Sequence, residues 1–434
     1  MSQRLQVRLD FGAQSRPLLL GECLWVESER VAAFQWSEAA IQAGFMLSPL
    51  MPLAPNAVKA RFEPFEGLHG MFSDSIPDGF GLRLMNKGLA AAGYLPDIVN
   101  PLHRLAWIGE RGIGALTYAP VIDGGESREL IDIAALGIHA ARTEEENFQD
   151  IPKSAIKAGG SALGARPKFW AAVGDDGKKI ILGDSAQTPE GFVPSLLKFA
   201  PARGDKNEPF YEAACLLLAQ EHGVRAARAR LLLHPQGAAL AVERFDRLPG
   251  GGRIFMQSAA ALLNADFRTP CLDYSALAKL SARLSGTPES ERIYRQTCFN
   301  VALSMRDDHC KNFAFCMDEN GKWELSPAFD LCPSAGPAGW HTMTVSGEGQ
   351  TITRAHLFRF AQSLGLSQAV IDDGIDKALA AADKFESRAI ALGATTVGAK
   401  KWSKRFKEIG KALAPATVPV GQHQTKPAKR GPGD

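Results

Sequence analysis

Residues 306–330 read Arg306-Asp307-Asp308-His309-Cys310-Lys311-Asn312, then the apolar run Phe313–Met317, Asp318-Glu319-Asn320-Gly321, Lys322–Leu325, and Ser326-Pro327-Ala328-Phe329-Asp330. A turn-forming tetrapeptide between two apolar runs predicts a hairpin. The polar loop precedes that hairpin and Asp330 follows it. Asp307, Asn312 and Asp330 are therefore expected at the mouths of one loop and one hairpin. Hard oxygen ligands of this kind suit Mg²⁺, which keeps water and phosphate oxygens as its other ligands.

The spacing from Asp307 to Asn312 equals that of a kinase catalytic loop. In that chemistry the first Asp takes a hydroxyl proton, while the Asn and a later Asp hold the metal. A capped loop and hairpin without metal would show the same local pattern, because Asp and Asn crowd ordinary turns. Zinc is disfavoured: a closed site needs four ligands in paired spacings, and His309 has only Cys310 and Cys316 nearby, poorly spaced. His309 is instead expected to hydrogen-bond the loop backbone, hold Asp307 in place and lie with the nucleotide-contacting residues.

Working outward, Gly159–Lys168 is a glycine-rich segment leading into a strand at Phe169–Val173. Its glycines would let backbone N–H groups approach phosphates. No GK[ST] follows, so it is not a Walker A loop; a linker would look similar. Lys198 lies in the apolar strand Phe192–Phe199, where a lysine is costly unless paired. Glu212 falls in the amphipathic helix that follows. A strand lysine and a helix glutamate are the halves of a kinase phosphate clamp; a snorkelling lysine and an exposed glutamate are the plainer alternative. Leu240–Arg247 is a strand that turns into charge where the lobes should join. Its backbone can meet a purine edge, with Phe245 as an apolar wall. Arg244, Asp246 and Arg247 are otherwise read as a surface ion-pair cluster worth little.

The chain has 434 residues, enough for two or three domains. Hydrophobic residues at 45% and charged residues at 22% exclude a collagen, a disordered chain and a disulfide miniprotein. Lys plus Arg at 49 against Asp plus Glu at 47 gives a net charge of +2, which forces no nucleic-acid or membrane partner. Seven scattered cysteines without a CxxC read as reduced thiols. No apolar run approaches the roughly 20 residues of a membrane span, and a cytoplasmic protein is expected. A β-rich half precedes a helical half. The division expected is a β-rich subdomain at 1–135, a small lobe at 150–250, a helical large lobe at 251–413 and a disordered basic tail at 414–434.

FSDSIPDGFGLRLM (72–85), RLAWIGERGIGALTY (104–118), SALGARPK (161–168), LLKFA (196–200), FYEAACLLLAQEHGV (210–224), VERFDR (242–247), MRDDHCKNF (305–313) and LSPAFD (325–330) occur in order. On these motifs the chain resembles the HipA-like serine/threonine kinases, the toxin half of type II toxin–antitoxin pairs. The resemblance covers about residues 5–390. It implies an α+β, two-lobed, protein-kinase-like fold with an extra N-terminal β-rich subdomain and an all-helical C-terminal lobe.

It also implies ATP and Mg²⁺ as cofactors, Asp307 as the catalytic base, and Asn312 and Asp330 as metal ligands. Lys198 matches the ATP-phosphate lysine and Glu212 its helix partner. Glu243 and Phe245 match the hinge that holds adenine through main-chain atoms. Ser161 falls on the autophosphorylated serine, and Ala162, Leu163, Gly164, Ala165, Arg166 and Lys168 fall in the adjoining phosphate loop. Arg166 stands where many members carry Gln; a guanidinium there could pair with phosphate or with phosphorylated Ser161. The partners implied are a protein substrate, an aminoacyl-tRNA synthetase in known members, and a small helix-turn-helix antitoxin of the HipB type. DNA would be reached only through that antitoxin, and no membrane is involved. A small-molecule or lipid kinase, whose loop also accepts DxHxxN, and a non-catalytic corepressor are the alternatives.

Overall fold

The computed structural model describes residues 4–12, 15–122, 129–144, 151–162, 164, 166–183, 188–270, 272–286 and 289–415. Leu163, Ala165, Cys271 and the tail from residue 416 lie outside the described residues.

Leu5, Val7 and Leu9 alternate with more exposed neighbours along the strand Arg4–Leu9, the period of a half-buried strand. That strand sits between Leu18–Val26 and Leu116–Ala119 in a five-stranded antiparallel sheet, completed by Val31–Trp36 and Val58–Lys59. The apolar runs at 18–20 and 23–26 form one strand through Gly21 and Glu22. Helices Gly79–Ala91 and Pro101–Ile108 accompany this sheet. Pro101 opens the second helix, and Asn100 caps it by accepting the N–H groups of Leu102 and His103.

The next sheet has six antiparallel strands in the order Ala229–His234, Gly237–Glu243, Phe192–Phe199, Lys168–Gly174, Ile180–Leu182, Glu129–Ile131. Glu129–Ile131, which the sequence division put in the first subdomain, hydrogen-bonds to Ile180–Leu182 and so belongs to this second sheet. Helix Glu208–Glu221 packs on Ala229–His234 and Gly237–Glu243.

Beyond residue 258 helices dominate: Ser275–Ser285, Ser290–Ala302, Arg354–Ser363, Gln368–Leu392 and Thr396–Leu413. The expected hairpin is present as Ala314–Met317 and Trp323–Leu325, and Phe255–Ser258 adds a third strand. The large lobe is thus helical around a small sheet rather than all-helical, because the hairpin before Asp330 has an edge, Ala314–Met317, that Phe255–Ser258 covers. One core runs from the first sheet (Val7, Phe34) and the helix beside it (Trp107) into the large lobe (Tyr294, Phe360, Phe385). A second core, of Phe80, Leu84, Leu136, Phe169 and Leu197, lies on the six-stranded sheet. Phe80 and Leu84 come from the N-terminal helix Gly79–Ala91, so that helix is built into the small lobe.

Candidate active site

A cleft of about 1130 Å³ opens between the lobes. Its floor is the loop after helix Ser290–Ala302. That helix ends at Ala302, and two residues on Ser304, with a positive φ of 52°, turns the chain into the loop. Asn312 Nδ2 donates to the Asp307 carbonyl (2.8 Å), closing the loop on itself. Its carboxamide oxygen is left over. The Asp307 carboxylate faces the cleft. Crowding by the cleft walls pushes its pKa up, against the pull of His309.

Asp308 points the other way and is buried. It accepts from the Tyr274 hydroxyl (2.7 Å), the Thr342 N–H (2.8 Å) and hydroxyl (3.1 Å), and lies 2.8 Å from His341 Nδ1. Alternate side chains along the loop therefore serve opposite purposes: Asp308 is fastened to the large lobe so that Asp307 is presented to the cleft. The role expected of His309 falls to these groups. His309 Nε2 stands 3.9 Å from Asp307, its Nδ1 has no hydrogen-bond partner among the described residues, and the ring packs on Phe267.

Asp330 follows the hairpin with a positive φ of 57°, an unusual conformation for a side chain other than glycine. Lys198 Nζ lies 2.6 Å from Asp330 and 2.5 Å from Glu212. Burial works against the ammonium of Lys198, but the two carboxylates outweigh it and hold the pKa above the usual lysine range. Burial would likewise raise Asp330; Lys198 and Lys168 reverse that and hold it well below the usual carboxylate range. Lys168 is directly opposite Lys198 on the neighbouring strand. Burial, together with Lys198, lowers its pKa.

The back of the cleft is apolar: Ile113, Trp170, Leu196, Val242, Phe245 and Phe329. Phe245 packs on Phe329 with ring centroids 5.7 Å apart. The Glu243 N–H already donates to the Arg228 carbonyl (2.8 Å), so an adenine edge would meet the hinge through other main-chain groups.

Arg244, Asp246 and Arg247 are buried, which corrects their reading as a surface cluster. Asp246 accepts the Gly114 N–H (2.7 Å) and pairs with both arginines (2.7 and 2.8 Å). Arg247 donates to the carbonyls of Gly112 (2.8 Å) and Gly114 (2.9 Å). Two motifs more than a hundred residues apart thus form one clamp between the hinge and the N-terminal subdomain.

Gly164, Arg166 and Lys168 line the cleft with Lys198, Glu212, Glu243, Phe245, Asp307, His309, Asn312 and Asp330. Arg166 pairs with Glu208 (2.7 Å). Ser161 and Ala162 are not brought to it. Ser161 is buried, its hydroxyl donates to the Lys157 carbonyl (3.0 Å), and its own carbonyl accepts from Trp170 Nε1 (3.0 Å). Leu163 and Ala165 lie outside the described residues. Sequence reading assigned no role to Asp78 and Lys311, which meet at the cleft (2.9 Å), although both stood inside quoted motifs. It also missed Lys401, Lys404 and Arg405 of the last helix, which line the mouth.

Among the described residues no group of three or more His, Cys, Asp or Glu is placed to hold a metal. Asn312 and Asp330, which line one small pocket and supply oxygen donors, still fit Mg²⁺, whose other ligands come from water and phosphate. Nor is any helix among the described residues long and apolar enough to cross a membrane.

A family model described as "HipA-like C-terminal domain" matches residues 160–385, and one described as "HipA N-terminal domain" matches residues 19–119. Among solved structures, the chain is similar to one from the Shewanella oneidensis MR-1 complex of HipA, HipB and operator DNA. That likeness has a TM-score of 0.67 and 19% identity, over 93% of this chain and 95% of that one, and it shows a shared fold. The Helicobacter pylori proinflammatory kinase CtkA matches with a TM-score of 0.32 and 12% identity, over 53% of this chain and 94% of that one, too distant to bear on activity.

Proposed function

The chain belongs to the HipA-like family, and we propose that it is a toxin of the serine/threonine protein kinase type that transfers the ATP γ-phosphoryl group to a protein hydroxyl. The observation that carries this reading is the opposition of Lys168 and Lys198 across one strand pair, above Asp330 and within the cleft that Asp307 and Asn312 line. Glu212 and Asp330 pair with Lys198, whereas Lys168 has no ion pair among the described residues, so the negative charge of a triphosphate would be met by Lys168.

The adenine lies against Trp170, Leu196, Val242 and Phe329 at the hinge. Lys198, held by Glu212, and Lys168 take the donor phosphates. Asp307 orients the acceptor hydroxyl and receives its proton as the oxygen bonds to the γ-phosphorus. The bond from that phosphorus to the bridging oxygen breaks, and ADP leaves with the electron pair. Asn312 and Asp330 would hold Mg²⁺, which when bound neutralises charge on the phosphates.

Ser161 is the autophosphorylation site in this reading. Its inward hydroxyl becomes available only when the segment beginning at Gly160 swings out. A phosphate there, at about −2 charge, opposes nucleotide binding. The partner is a small helix-turn-helix antitoxin, with operator DNA reached through it; the Shewanella structure holds HipA together with HipB and operator DNA.

The test is incubation with Mg²⁺ and γ-labelled ATP, followed by mapping of the label. The wild type should label Ser161 and a protein acceptor, and Asp307→Ala should label neither. Labelling by Asp307→Ala at the wild-type rate would remove Asp307 from its role; no labelling by the wild type with any acceptor would remove the kinase reading.

A further inference from the structure

Asp78 occupies the N-cap position of helix Gly79–Ala91 with extended backbone angles (φ −115°, ψ 176°). An aspartate there ordinarily accepts an N–H of its own first turn, a bond worth about 1 kcal/mol. Asp78 makes no such bond. Its carboxylate is turned out of the helix and into the cleft. One oxygen accepts the Gly164 N–H and the other accepts Lys311 Nζ (2.9 Å). Lys168, Lys311 and the Gly164 N–H hold Asp78 ionised against burial.

These partners come from three parts of the molecule. Gly164 is in the phosphate loop of the small lobe, Lys311 is in the catalytic loop of the large lobe, and Asp78 belongs to the N-terminal subdomain. The approach is tight on both sides of Asp78. A Cβ on Gly81 would stand 2.3 Å from the Ala162 carbonyl oxygen and 3.0 Å from that of Gly159. Gly164 itself has φ +100°, open only to glycine in practice. Phe80 packs edge-on against Phe169, at the far end of the same loop. The helix therefore presses on the phosphate loop at its start, its middle and its exit.

We propose that Asp78 is a positioning residue: through Gly164 and Lys311 it holds the phosphate loop over the catalytic loop, so that nucleotide-phosphate binding depends on the N-terminal subdomain. This rests on the kinase reading above. The forgone cap and the two-sided carboxylate are the observations behind it. A residue kept only for the fold would cap its helix; this one holds a loop.

The effect is specific to the phosphates, so adenosine and ATP respond differently. Direct binding of each nucleoside to the full-length protein with Mg²⁺ is measured for wild type, Asp78→Ala and Asp78→Asn. Asp78→Ala loses both contacts and should weaken ATP about tenfold, equivalent to ~1.4 kcal/mol, with adenosine unchanged. Asp78→Asn keeps an oxygen for the Gly164 N–H but loses the charge facing Lys311, and should fall between. Lys311→Met should weaken ATP no further in the Asp78→Asn background than Asp78→Asn does alone.

Equal weakening of adenosine and ATP by Asp78→Ala would mean general damage to the fold and overturns the proposal. So does unchanged or tighter ATP binding, the latter making the carboxylate a competitor of the phosphates. A wild-type protein that binds neither ligand overturns the kinase reading and this proposal together. A wild type that binds ATP as tightly as Asp78→Ala does overturns this one alone.

Discussion

Lys168 and Lys198 stand directly opposite each other on adjacent antiparallel strands, both buried, with Asp330 in reach of Lys198 and no ion pair for Lys168 among the described residues. The two lysines are therefore unequal. Lys198 is neutralised by Glu212 and Asp330, whereas Lys168 is left to meet a ligand.

Lys168→Met should consequently stabilise the free protein while weakening ATP. Removing a buried charge that faces another lysine gains up to ~1 kcal/mol, and ATP affinity should fall about tenfold, ~1.4 kcal/mol. Lys198→Met should reverse the first sign, costing about 3 kcal/mol because Glu212 and Asp330 lose their counter-ion. Thermal unfolding with and without ATP checks both.

On the proposed function, Asn312 and Asp330 would make nucleotide binding sensitive to Mg²⁺. Chelation should weaken ATP binding to the wild type by roughly tenfold or more, since the phosphates then meet Asp330 unshielded. Asn312→Ala should bind ATP weakly with or without chelator. Calorimetric titration in Mg²⁺ and in EDTA distinguishes the two proteins; an EDTA effect of wild-type size in Asn312→Ala would remove Asn312 from the metal site.

The clamp at Asp246 is structural. Asp246→Asn removes the buried carboxylate that Arg244 and Arg247 share and should destabilise by about 3–5 kcal/mol. Burial acts to raise the Asp246 pKa, but the two arginines hold it well below the usual range. Its stabilisation is complete above the unfolded carboxylate pKa of about 4 and is lost as pH falls below that. Urea unfolding from pH 7 down to pH 2 should show the Asp246→Asn protein less stable at pH 7 and flatter below pH 4.

His69 supplies a pH response in a higher window. It is packed against Phe34 and Phe72, and its Nε2 lies 3.0 Å from the Val58 carbonyl. Burial pushes its pKa down to about 4. The unfolded histidine, near 6.5, takes up a proton that the folded one refuses. Stability from this group is therefore whole above pH 6.5 and drains away as pH falls toward 4, by up to roughly 3 kcal/mol. His69→Gln can keep the hydrogen bond without titrating, and the slope of stability against pH between 6.5 and 4 should flatten. An unchanged slope would place the titration elsewhere.

The N-terminal subdomain reaches both the hinge and the loops of the cleft. Gly112 and Gly114 are locked by Asp246 and Arg247, and Asp78 reaches Gly164 and Lys311. A subdomain merely appended to a kinase would need neither contact.

Local order along the chain determined much of this. The Asp-Glu-Asn-Gly turn between two apolar runs is a hairpin whatever surrounds it, and it places Asp330 a short step from the loop of Asp307 and Asn312. The strand around Lys198 follows from its apolar run, and the helix around Glu212 is present as expected, although it is buried on nearly every side rather than along one face. Tertiary structure alone decided which way side chains turn when their partners are far away in sequence. Ser161 faces inward because Trp170 and Lys157 take its polar groups. Arg244, Asp246 and Arg247 are buried because a loop 130 residues earlier covers them. Asp78 abandons its own helix for a glycine N–H 86 residues on and a lysine 233 residues on. Periodicity reports the face that a residue presents; it carries nothing about the groups that other segments bring to that face, and those groups set the burial, pairing and charge of a polar side chain.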